Sequence, residues 1–290
     1  MKPKMKPKMK PQMKRSVSNI LPIQARSRKI ILKKRTYENN NHHEETQEIK
    51  PVIIIPARYE SSRLPGKALK YIEGKTMLQR TFEKCIEALS KQDVYIATNN
   101  LKIKKHCEEF GANVLMTSSS CLTGTDRIAE ASKYIKCDVV INVQGDEPII
   151  NPLDIKKIID TAREYPGEII NGMAIIKTLD EFVNPSIPKV VARPDGKLLY
   201  MSRAAIPTTK KLQFETAWKQ ICIYAFPVDS LKTFAKQYNK TSLEQIEDIE
   251  ILRFVEMGYD VRMIQLSGSS FAIDTPEDLK KIRKYVRTKS

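Results

Sequence analysis

From Pro51 onward, short apolar runs alternate with amphipathic stretches, and this alternation restricts the fold more than any other feature of the chain. Val52 to Ile55 reads as a first strand, Val94 to Ala97 as a second, Asn113 to Met116 as a third and Asp138 to Val143 as a fourth buried on both faces. Helical patterns fall between and after them, at Met77 to Leu89, Lys102 to Phe110, Arg127 to Ile135 and Pro152 to Tyr165. Strand, helix, strand in that order predicts an α/β fold with a doubly wound, mostly parallel, Rossmann-like sheet. The second half changes texture. Runs at Ile169 to Ile176, Val190 to Ala192, Leu198 to Met201 and Ile221 to Phe226, joined by proline-rich loops, predict an antiparallel extension of the sheet. Helices follow at Leu243 to Met257 and Pro276 to Val286, on either side of a strand near Val261 to Leu266.

The net charge of +16 invites a nucleic-acid reading, but its distribution weakens it. Residues 1–50 carry 14 Lys and Arg against 4 Asp and Glu, whereas the rest of the chain carries 36 against 30. Basicity is mostly a property of an N-terminal extension, residues 1–50, set apart from a single domain spanning residues 51–290. In that extension Met1, Met5, Met9 and Met13 alternate with Pro3, Pro7 and Pro11, a spacing that forbids a stable helix and predicts an extended, solvated tract. It is compatible with a dispensable extension, a polyanion-binding arm, or organelle targeting through residues 1–37. No run approaches the roughly 18 apolar residues that span a bilayer, and a cytoplasmic location is expected. The five cysteines lack a C-x-x-C pair and read as reduced, small apolar residues. With only three histidines, two of them in the polar extension, chemistry must rest on carboxylates, cations, backbone amides and metal.

Four segments carry chemistry. The first strand runs into Ile55-Pro-Ala-Arg-Tyr-Glu-Ser-Ser-Arg-Leu-Pro-Gly-Lys67, where Arg58, Arg63 and Lys67 offer charge and forked donors to a triphosphate and Ser62 a hydroxyl. It sits at the carboxyl end of a strand, where open α/β sheets bind ligands, and it is neither a Walker loop nor G-x-G-x-x-G. A solvated basic loop would have the same composition. The fourth strand ends in Val143-Gln-Gly-Asp-Glu-Pro148, so Asp146 and Glu147 can meet a hard cation already bound to phosphate, or merely shape a turn. Near the end, Thr275 as N-cap and Pro276 at the first helical position explain most of Ile273-Asp-Thr-Pro-Glu-Asp278, leaving Asp274 as a second metal ligand or as a spare residue. Thr117-Ser-Ser-Ser-Cys-Leu-Thr-Gly-Thr-Asp-Arg127 can line a base or ribose pocket, or supply Asp126 or Thr125 as a helix cap.

Taken in order, these motifs, with Ser202-Arg-Ala-Ala-Ile-Pro207 and Asp274-Thr-Pro-Glu-Asp-Leu279, resemble the 3-deoxy-manno-octulosonate (Kdo) cytidylyltransferases, or CMP-Kdo synthetases, over residues 51 to about 287. Tyr59 with Pro65-Gly66 is similar to the Kdo branch rather than to the sialic-acid branch. The resemblance implies transfer of CMP from CTP to the 2-hydroxyl of an acidic 2-keto-3-deoxy sugar, with Mg²⁺, in a homodimer, toward lipopolysaccharide or a related glycan. It implies triphosphate ligation by Arg58, Arg63 and Lys67, a nucleotide pocket at Pro56, Ala57, Ser62, Thr123, Gly124 and Gln144, and Mg²⁺ ligation by Asp146 and Asp274. On the sugar side it implies Gln144, Arg203, Gln220, Tyr224 and Glu250, with Arg203 pairing with the sugar carboxylate. Two stretches depart from the family pattern. His-Ile-Gly-Ile-Tyr becomes Gln220-Ile-Cys-Ile-Tyr224, and Glu-Gln-Leu-Arg becomes Glu250-Ile-Leu-Arg253. Gln220 cannot carry a proton charge and Ile251 removes a polar contact, so a different ulosonic acid, 8-amino-Kdo or a nonulosonate, is the alternative substrate.

Overall fold

The computed structural model describes residues 49–289. The readings made on the lysine-proline tract and on targeting through residues 1–37 lie outside the described residues.

Strand β1 (Pro51–Ala57) is buried at every position because both parities of its sequence are apolar. Ile53, Ile55 and Ala57 enter one core and Val52 and Ile54 the other. A loop and a short ribbon, β2 (Tyr71–Ile72) and β3 (Lys75–Thr76), lead to α1 (Met77–Ile86), which Thr76 caps by accepting from Gln79 N. Then come β4 (Val94–Thr98), α2 (Leu101–Glu109), β5 (Asn113–Met116), α3 (Gly124–Ala131), β6 (Val139–Val143) and α4 (Pro152–Glu164). Helices α1, α2 and α4 pack on one face of the sheet through Phe82, Ile103 and Ile158, while α3 packs on the other through Ile128.

β1 lies between β4 and β6, parallel to both, and β5 lies beyond β4. The chain winds outward from β1 to β4 and β5, then returns to β6 on the other side of β1. That reversal is the topological switch point, and the loops leaving β1 and β6 diverge there to open a crevice.

The second half holds β7 (Ile169–Ile175), α5 (Leu179–Val183), β8 (Lys189–Ala192), β9 (Leu198–Ser202), β10 (Trp218–Pro227), α6 (Val228–Phe234), α7 (Ser242–Glu247), α8 (Ile251–Glu256), β11 (Val261–Gln265) and α9 (Pro276–Arg287). The sheet order is β11-β7-β10-β6-β1-β4-β5. β10 runs antiparallel to both β6 and β7, so β7 and β11 resume the direction of β1. The β8–β9 hairpin extends the sheet from the first residues of β10. The expected antiparallel addition is therefore one reversed strand within the main sheet plus a hairpin at its side.

Two local expectations change. The helix expected from Arg127 starts three residues earlier, because the cap is Thr123, with Asp126 closing a reciprocal capping box, rather than Asp126 or Thr125. The continuous helix expected from Leu243 to Met257 is broken at Asp248, which adopts a left-handed φ of 50°. No glycine or proline marks the break. The Asp248 carbonyl accepts from Arg203 Nη2, and its carboxylate accepts from Lys240 at 2.6 Å, contacts a straight helix would not make.

Candidate active site

A cavity of about 320 Å³ opens at the switch point, lined by the loops after β1 and β6, the start of α3, the α7–α8 break and the start of α9. Gly66, at φ 65°, turns the first loop so that Lys67 enters the cavity from its base. Gly145 permits close packing of the two loops, since a Cβ there would stand 3.1 Å from the Pro56 carbonyl.

The charged centre is compact. Lys67 Nζ donates to Asp146 Oδ2 at 2.6 Å and to Asp274 Oδ1 at 3.0 Å, and Arg63 Nη2 meets the same Asp274 oxygen at 3.1 Å. Burial pulls the Lys67 ammonium toward neutrality, but the charges of Asp146 and Asp274 and the hydrogen bonds to them outweigh it, so its pKa lies above the ordinary lysine value. Asp146, from the middle of the chain, and Asp274, from near its end, turn their oxygens toward one point, where a positive group already sits. That donor set, two hard carboxylate oxygens with room for phosphate oxygens, fits Mg²⁺.

The neighbouring Asp146 and Glu147 separate. Asp146 faces the cavity, whereas Glu147 is buried and accepts a hydrogen bond from the Ser270 hydroxyl. Burial first, and then the Asp146 charge, push the Glu147 carboxyl up to about 8. Of the two acids expected to meet a cation, the structure turns one toward the site.

Glu250 lies on the far wall. Its carboxylate accepts from the backbone N–H of Gly124 at 3.3 Å and of Thr125 at 2.8 Å, holding the first turn of α3 where its dipole favours an anion. Behind it, fully buried Arg253 pairs with Glu244 at 2.6 and 2.7 Å, reaches Asp126 at 3.1 Å and stacks 3.7 Å above the Phe234 ring. Asp126 also accepts from Thr123, so the packing of α8 sets the position of the Thr123–Gly124 wall.

The structure brings Pro56, Ala57, Arg58, Ser62, Arg63 and Lys67 to this cavity, together with Thr123, Gly124, Gln144, Asp146, Glu250 and Asp274. Arg203, Gln220 and Tyr224 are not among its lining residues. Arg203 instead donates to the carbonyls of Glu247, Pro185 and Asp248 and pins the α7–α8 break. Gln220 Nε2 donates to Tyr224 Oη at 3.1 Å and to Asn171 Oδ1 at 3.0 Å, while Asn171 Nδ2 donates to the carbonyls of Ile221 and Ile223 across an irregularity in β10. Ile251 is buried in the apolar core of that face. Sequence reasoning missed Lys240, Asp248 and Arg127, which also line the cavity. Arg127 carried a signal in its motif, but Asp248 reaches the site at the helix break and Lys240 from the loop before α7.

A family model described as cytidylyltransferase matches residues 52–266. The 8-amino-3,8-dideoxy-manno-octulosonate cytidylyltransferase of Shewanella pealeana is 38% identical over 234 residues, which are 79% of this chain and 95% of that protein. The 3-deoxy-manno-octulosonate cytidylyltransferase of Escherichia coli is 34% identical, over 81% of this chain and 95% of its own. The solved structure of a CMP:2-keto-3-deoxy-manno-octonic acid synthetase complexed with CTP is similar at a TM-score of 0.78 and 33% identity, covering 83% of this chain and 100% of that one. A cytidylyltransferase from Leptospira borgpetersenii, 17% identical over 83% of this chain and 87% of its own with a TM-score of 0.56, shares the fold. The model match spans the crevice-forming loops together with most of the sheet, and the chain belongs to the cytidylyltransferase family.

Proposed function

We propose that this chain transfers CMP from CTP to the anomeric 2-hydroxyl of 3-deoxy-manno-octulosonate, releasing pyrophosphate and giving the activated sugar for lipopolysaccharide or a related glycan. The observation that carries the reading is the meeting of Arg63, Lys67, Asp146 and Asp274 within one hydrogen-bonded cluster at the switch point. Relatives named for this substrate and for its 8-amino analogue support the choice of acceptor.

In the transfer the 2-hydroxyl gives up its proton to solvent as its oxygen forms a bond to the α-phosphorus, the bond to the bridging oxygen breaks, and pyrophosphate leaves with the electron pair. Arg58, Arg63 and Lys67 hold phosphate oxygens and balance the charge gathering on the leaving group. Lys67, held between its two carboxylates, acts as a cation. Thr123, Gly124 and Gln144 line the wall against which the nucleoside is placed. Asp146 and Asp274 would hold Mg²⁺, which when bound supplies further charge neutralisation at the phosphates. No protein nucleophile is required. The reading also carries a cytoplasmic location and a homodimer built through the β8–β9 hairpin, where Leu199 stands 56% exposed.

The test is pyrophosphate release by the purified chain with CTP, Mg²⁺ and the octulosonate, omitting each in turn. Release without the sugar acid, or no release with all three, refutes the reading. The same assay on the 8-amino analogue and on nine-carbon acids ranks the acceptors and reads out what Gln220 and Ile251 do.

A further inference from the structure

Resting on the reading that the acceptor is a sugar acid, we infer that Lys240 supplies the cation that recognises its carboxylate. Arg203, the residue expected to do so, spends its guanidinium on three backbone carbonyls and is absent from the cavity lining. The cavity's other cations divide into two groups. Arg58, Arg63 and Lys67 belong to the loop that serves the phosphates, while Arg127 donates to the Thr117 hydroxyl and the Ser118 carbonyl beneath the α3 wall. Lys240 is the cation contributed by the opposite wall.

Its surroundings choose the ligand. Lys240 shares that wall with Asp248 and Glu250, and Arg203 stands 3.8 Å from the Asp248 carboxylate, so the wall carries both signs, unlike the cationic loop that serves the triphosphate. A sugar acid fits both signs, since its single carboxylate can meet the ammonium while its hydroxyls donate to the flanking carboxylates. The ammonium is held ready. Lys240 Nζ donates to Asp248 Oδ1 at 2.6 Å, with the lysine side chain 24% exposed and the aspartate 71% exposed. When the substrate carboxylate takes the ammonium, Asp248 keeps Arg203 at 3.8 Å and its contact with water, so the exchange costs little. The left-handed turn at Asp248 places its carboxylate beside Lys240 at the cavity, and Arg203 holds that turn through the Asp248 carbonyl. Arg203 thereby acts on the sugar side as a positioning residue.

The experiment compares the full chain with Lys240→Gln and Lys240→Arg, measuring KM separately for octulosonate and CTP, with octulosonate methyl ester as a second acceptor. Loss of one charge-assisted contact predicts a rise of about tenfold to a hundredfold in sugar KM for Lys240→Gln, with the CTP KM within about twofold. Lys240→Arg restores most of the affinity, and Lys240→Gln loses the preference of the unsubstituted chain for acid over ester, a change that a merely structural role would not produce. An unchanged sugar KM, a retained acid preference, or an equal rise in CTP KM overturns the assignment. Calorimetric CTP binding by each variant reports that the fold is intact, and a variant that fails to bind CTP also counts against a role confined to the sugar. If the unsubstituted chain turns over no 2-keto-3-deoxy acid, the acceptor reading falls and this inference with it.

Discussion

Replacing Lys67 with methionine removes the ammonium that joins Asp146, on the loop after β6, to Asp274, at the start of α9. The two carboxylates are then left facing one another with Arg63, whose side chain is 59% exposed, as their remaining neighbour in the cluster. A fully buried ion pair broken on one side costs about 3–5 kcal/mol. These groups are 18–35% exposed, and solvent screening discounts the loss to about 1–3 kcal/mol. For a domain of this size that corresponds to a fall in Tm of roughly 2–12 °C. Mg²⁺ should compensate. A divalent ion bound between the stranded carboxylates stabilises the native state by about 2.7 kcal/mol at a hundred times its Kd, so Mg²⁺ raises the Tm of Lys67→Met more than that of the unsubstituted chain. Activity behaves differently, because the phosphates lose a preorganised cation that the metal does not replace, and kcat falls by about 10²–10³ at saturating CTP and Mg²⁺. Thermal melts across a Mg²⁺ series and steady-state pyrophosphate release measure the two effects. Equal Mg²⁺ stabilisation of both proteins, or a kcat within threefold of the unsubstituted value, refutes the joint assignment of Lys67, Asp146 and Asp274.

Asp146→Ala abolishes detectable turnover, and full activity in that variant removes Asp146 from the metal site. Arg253→Met strands buried Glu244 and frees Asp126, costing about 3–5 kcal/mol in urea denaturation and raising the KM for CTP as the Thr123–Gly124 wall loosens; a loss under 1 kcal/mol refutes the coupling. Cys121 lines the cavity, and burial with a hydrogen bond to Glu130 pushes its thiol up to about 11. At pH 7.5 its thiolate fraction is roughly a hundredfold below that of a free cysteine, so iodoacetamide modifies it slowly and CTP slows it further; labelling at the free-thiol rate counts against this placement.

The parallel half of the sheet was legible because its physics is local. Both parities of β1 are apolar, which leaves a strand buried on both faces as the economical arrangement. The start of α9 was equally legible, since Thr275, Pro276 and Asp278 form a capping pattern that works within one turn and leaves Asp274 pointing elsewhere. The crevice followed from order alone, because strands joined by right-handed crossovers bring the loops after β1 and β6 to one edge.

The α7–α8 break was not legible, because apolar spacing continues through it and Asp248 carries no mark of a left-handed turn. Its cause is distant, in the donors of Arg203 and in the N–H groups of Gly124 and Thr125 that draw Glu250 across. Nor could adjacency separate Asp146 from Glu147, whose different fates depend on Lys67 and Ser270, far away in the chain.

By itself, then, the order of residues determined the winding of the sheet, the edge at which the crevice opens and the cationic character of the first loop, all properties of hydrophobic period and neighbouring side chains. Tertiary structure alone decided which acids and cations face that crevice, because a buried charge goes where a partner from another segment can satisfy it, and such partners are set by the packing of the whole domain.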